Sequence, residues 1–118
     1  MQQKVVLAAI GFAIALLLMA SWASAEELQT GTWTGTWQTE LGSSAVEFDV
    51  RNGPEITMQW REDHSFTEIK LDNETLTFTV EMKPAYDCNL KKKKNGKKFE
   101  GECTNKHNDK VRLTMNAP

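Results

Sequence analysis

After residue 30, apolar residues recur at every second position through most of the chain, and helical three-four spacing is almost absent. A period of two belongs to strands that bury one face. Eight runs can be marked. Gly31–Thr39 carries Trp33, Gly35 and Trp37 on one face and threonines on the other. Ala45–Arg51 turns Val46, Phe48 and Val50 inward, and Glu55–Arg61 turns Ile56, Met58 and Trp60. Thr75–Met82 is the cleanest, with Leu76, Phe78, Val80 and Met82 on one side. Tyr86–Lys93 offers Tyr86, Cys88 and Leu90; Lys98–Asn105 offers Phe99, Gly101 and Cys103; Lys110–Asn116 offers Val111, Leu113 and Met115. The fourth run, Phe66–Leu71, breaks the alternation, because Phe66 falls opposite to Ile69 and Leu71. A β-bulge, or a rim position for Phe66, would reconcile them.

The connections are short and rich in Gly, Asn, Asp and Pro, so successive strands should pair as antiparallel neighbours. Asn95-Gly96 is the strongest hairpin signal. A turn centred there sets Leu90 against Gly101 and Cys88 against Cys103, within reach of a disulfide. Eight one-faced strands with no helix to cover them predict an all-β fold, an eight-stranded antiparallel up-and-down barrel closed by pairing the first strand with the eighth. A two-sheet sandwich is the alternative, and the even meander favours the barrel.

The residues before the barrel have a different pattern. Lys4 precedes an apolar run from Val5 to Ala20, and Ala23-Ser24-Ala25 leads into Glu26-Glu27. This is the order of a cleaved secretory signal over residues 1–25, with residues 26–118 as one β-barrel domain. Sixteen apolar residues in a helix reach about 24 Å, short of a ~30 Å hydrocarbon core, so no transmembrane span is expected in the mature chain. Export to the periplasm or the medium is expected, an oxidising setting in which the two cysteines of a small domain form a bridge.

Charge and chemistry narrow the function. The formal charge is −2, which argues against a nucleic-acid partner. His64 and His107 both read as turn residues on opposite sides of one rim, too far apart to share a metal. No metal-binding, cofactor or nucleophile motif is present, so neither a catalytic residue nor a cofactor is expected. Two features remain. Lys91, Lys93, Lys94, Lys97 and Lys98, with Lys92, crowd one hairpin tip, suited either to an anionic surface or simply to keeping an edge soluble. Meander topology also brings Trp37, Trp60, Met82 and Tyr86 to one mouth, a lining for a small apolar or amphipathic ligand, unless these groups only fill the interior. A non-catalytic ligand-binding barrel is the leading expectation; a periplasmic protein-interaction module, such as a hydrolase inhibitor acting through rim loops, is the other.

Gly31-Thr32-Trp33, opening the first strand of such a meander, resembles the Gly-x-Trp of the lipocalin and calycin superfamily. The resemblance implies an up-and-down barrel, smaller here than in lipocalins. The stretch Gly35 to Ser43 is also similar to the first hairpin of avidins, where Ser43 would match a biotin-contacting serine. Thr39 stands where that family carries a ligand-contacting asparagine, and the later aromatic lid residues have no counterparts, so biotin binding is not carried over.

Overall fold

In the computed structural model, which describes residues 28–118, eight strands follow one another in chain order. They are β1 (Gly31–Thr39), β2 (Gly42–Arg51), β3 (Glu55–Trp60), β4 (Glu62–Leu71), β5 (Thr75–Val80), β6 (Tyr86–Lys93), β7 (Lys98–Thr104) and β8 (Lys110–Asn116). The expected signal over residues 1–25 lies outside the described residues. Each strand pairs antiparallel with its neighbour, and β1 closes on β8 with Trp37 opposite Leu113, giving a closed barrel. Closure leaves no sheet edge unpaired.

The inward set follows the alternation. Trp33, Phe48, Val50, Ile56, Met58, Leu76, Leu90, Phe99, Leu113 and Met115 are fully buried, so side chains fill the interior. At the lower end Trp33 lies 6.0 Å from Phe99, centroid to centroid, and its indole N–H donates to the Gln29 carbonyl at 2.8 Å. The chain leading into β1 therefore folds beneath the barrel, with Leu28 packed on the core.

The β6–β7 hairpin has the expected register. Cys88 is opposite Cys103 and the two are bonded, with Cα atoms 3.9 Å apart. Asn95 and Gly96 take positive φ (56° and 89°), and the Lys97 N–H donates to the Lys94 carbonyl at 3.1 Å. That backbone matches the right-handed twist of the two strands.

Strand four departs most from expectation. It starts at Glu62 instead of Phe66, because a single residue, Arg61 at φ 71°, makes the whole turn from β3. His64, expected in that turn, is an inward strand residue opposite Met58. Further on, the register with β5 shifts between Thr67 and Lys70, and Glu68 has φ 54°. This bulge supplies the extra residue that lets Phe66 and Leu71 both face inward. Phe66 is stacked on Phe78 at 4.0 Å and is buried, not at the rim. Other ends shift less. β2 begins at Gly42, since Glu40-Leu41 alone makes the first turn, and Met82 and Asn105 fall just outside their strands. No helix among the described residues is long and apolar enough to cross a membrane.

Candidate functional site

The β1–β2, β3–β4, β5–β6 and β7–β8 connections share the upper end of the barrel, by the up-and-down order of the strands. Trp37 lies there near the end of β1 and Trp60 ends β3; their rings stack at 5.7 Å with 28° between planes. Tyr86, the first residue of β6, points its ring edge at Trp37 at 5.2 Å and 82°. Stacked and edge-on pairs are both favoured by the aromatic quadrupole. Trp37 is buried beneath them, whereas Trp60 and Tyr86 are half-buried. The Arg61 guanidinium sits 4.7 Å from the Trp60 ring centroid, a cation–π contact on a residue that its turn holds at positive φ.

His64 joins this end from β4. It is 7% exposed, its ring is 6.3 Å from Trp60, and its Nε2–H donates to the Trp60 carbonyl at 3.2 Å. The sequence reading missed it. Running the alternation backward from Phe66 places His64 on the same face, but four polar residues in a row, Glu62 to Ser65, hid the strand.

Two grooves open beside the aromatic cluster. One, of about 380 Å³, lies between the β1–β2 and β7–β8 turns and is lined by Thr39, Leu41, Tyr86, Asp109 and Val111 among others. Leu41, at the tip of its turn, is 99% exposed. The other, of about 670 Å³, lies between the β5–β6 and β7–β8 loops and takes in Met82, Pro84, Asn105 and His107. Trp37, Trp60 and Tyr86 thus come together, while Met82 packs on the core from the adjoining loop and lines the second groove.

Asn105 sets the shape of the wall between the grooves. It is nearly buried, and its Oδ1 accepts the backbone N–H groups of His107 (2.9 Å) and Asp109 (3.0 Å). Its Nδ2 donates to Asp109 Oδ2 at 3.1 Å. A side chain that satisfies two backbone donors holds a loop in one turn conformation.

The lysines lie at the other end. Lys93 is directly opposite Lys98, and Lys91 is opposite Glu100. The Glu100 carboxylate instead reaches Arg112 on β8, at 3.5 Å. Nearby, in the β4–β5 turn, Asp72 Oδ1 accepts the N–H groups of Thr75 (2.9 Å) and Glu74 (3.0 Å) and the Thr75 hydroxyl (2.9 Å). These bonds, the backbone N–H of Thr75 foremost, hold the Asp72 carboxyl below its ordinary pKa. Among the described residues no three His, Cys, Asp or Glu side chains are grouped as metal ligands would be. Comparison with protein-family models, with curated proteins and with solved structures finds no match.

Proposed function

We propose that this protein is an exported, non-catalytic binding barrel that takes a small apolar or amphipathic ligand at its upper rim. The observation that carries the reading is the Trp37–Trp60–Tyr86 cluster beside a 380 Å³ groove, with Tyr86 contributing to both. Aromatic faces supply apolar contact, and Glu40, Asp109 and Lys110 along the groove supply polar ends for an amphipathic guest. A filled interior directs the ligand to this shallow groove and away from a central calyx. The disulfide agrees with an oxidising compartment, periplasm or medium.

Tryptophan fluorescence tests the proposal. Fatty acids or hydrophobic dyes should quench or blue-shift the emission saturably, through Trp60 above all. A flat response across such ligands would remove this reading. The second reading, a protein-interaction module acting through the rim loops, draws on Leu41, a bare apolar side chain on a turn. It would be favoured by a flat fluorescence response together with a defined partner recovered from periplasmic extract.

A further inference from the structure

We infer that the lower end of the barrel is a membrane-facing surface that binds anionic phospholipid headgroups through Lys91, Lys93, Lys94, Lys97 and Lys98. The like charges at the hairpin tip are costly to the fold. Lys93 and Lys98 are directly opposed across the ladder, a like-charge pairing that destabilises a sheet. Glu100, the natural partner for Lys91, is held by Arg112. None of the five lysines makes an ion pair among the described residues. Other acidic groups at this end lie outside the hairpin: Asp72 and Glu74 in the β4–β5 turn, where the Glu74 carbonyl accepts the Lys92 N–H at 2.7 Å, and Glu55 at the start of β3. They leave the hairpin tip itself uniformly positive.

The strand register supplies a second observation. Lys98 and Thr34 both pair with Asn116, so β7, β8 and β1 are level there. Gly31 to Trp33 continue β1 below that level, and the Ala117 N–H donates to the Lys97 carbonyl at 2.9 Å. The chain therefore enters the barrel at the lysine end. Ten residues, 21–30, separate β1 from the apolar run Val5–Ala20, a reach of at most about 35 Å when fully extended. The lysine hairpin is thus at the end of the barrel to which the apolar run is joined in sequence, and the aromatic rim is at the opposite end. Each lysine within a Debye length of an anionic leaflet adds to the attraction.

Co-sedimentation with vesicles tests this on the exported protein, its N-terminus fixed by mass spectrometry. Vesicles of mixed phosphatidylglycerol and phosphatidylcholine should sediment the protein at 10 mM salt and release most of it at 150 mM. Phosphatidylcholine alone should sediment none. The triple variant K93Q/K94Q/K97Q, with the same N-terminus and an unchanged disulfide, should partition at least about tenfold more weakly. Absence of binding at 10 mM salt, or variant binding equal to wild type, overturns the inference. Equal binding to both vesicle types at both salts would mark an apolar association without headgroup charge and also overturns it. Retention on an acidic polysaccharide without vesicle binding would replace the lipid by that partner.

Discussion

Gly35 lies so close to Thr114 across the β1–β8 seam that a Cβ would overlap the Thr114 carbonyl oxygen and stand 2.7 Å from its carbon. The Phe48 ring closes the other side at 3.2 Å. Glycine here serves close approach, since its φ is ordinary. β1 is clamped between β2 and β8 in a closed barrel and cannot swing outward to make room. Gly35→Ala should therefore cost about 1–3 kcal/mol, the usual range for overpacking, and lower the melting temperature by upward of ~5 °C. Gly101→Ala should behave alike, because its Cβ would meet the Asn89 carbonyl oxygen and approach Leu90 Cα to 2.8 Å. Thermal unfolding by circular dichroism checks both, and an unchanged midpoint would count against the tight seams.

The Cys88–Cys103 bridge closes a segment with a sequence separation of 15. Chain entropy sets its contribution at up to about 3 kcal/mol. The Asn95-Gly96 turn already restricts the unfolded hairpin, which reduces that figure. Cys103→Ser should still lower the melting temperature by several degrees while keeping the barrel. Titration of the denatured, unreduced wild type should find no free thiol, and the variant should show one.

The barrel, its strand order and the disulfide were legible because three local signals agree along β6 and β7. Alternation sets the faces, Asn95-Gly96 sets the turn, and the cysteines fall opposite each other in the resulting register. The aromatic cluster was legible for the same reason, since strand order alone brings Trp37, Trp60 and Tyr86 to one end. The first half of β4 was not. Arg61 makes a one-residue turn without glycine, and Glu62-Asp63-His64-Ser65 carries no apolar residue to mark the buried face. The grooves depend on how Asn105 folds its loop, a tertiary arrangement with no sequence period of its own.

Asp72 gives a pH signature. Hydrogen bonds from Thr75 and Glu74 favour its charged form, so its carboxyl is held below the ordinary aspartate range in the folded protein. A depressed carboxylate pKa contributes stability that is fully present above the unfolded value and is lost as pH falls through the folded one. Asp72→Asn should be less stable than wild type at neutral pH, and the gap should close as pH falls through the lowered pKa of the folded carboxyl. The size will be small, since the group is fully exposed. Melting temperatures of both proteins from neutral pH to below 3 check this. A gap that stays constant would show that charge plays no part.

The leader is tested by mass. Protein exported from its host should begin at Glu26, and a membrane-bound product retaining Met1 to Ala25 would contradict cleavage.

Leu41 and Trp60 separate binding from stability at the rim. Trp60 is half-buried, stacked on Trp37 and covered by Arg61. Trp60→Ala should cost both fold stability and ligand affinity, so its effect on binding alone is ambiguous. Leu41 is 99% exposed and packs on nothing that the barrel needs. Leu41→Ser should leave folding stability within about 0.5 kcal/mol of wild type. If the groove it lines is the ligand site, the same change removes apolar contact from the guest. Affinity for a hydrophobic dye, read through Trp60 fluorescence, should then fall by about five- to tenfold, the equivalent of roughly 1 kcal/mol of lost apolar burial. Unchanged affinity in Leu41→Ser would place the ligand outside the 380 Å³ groove.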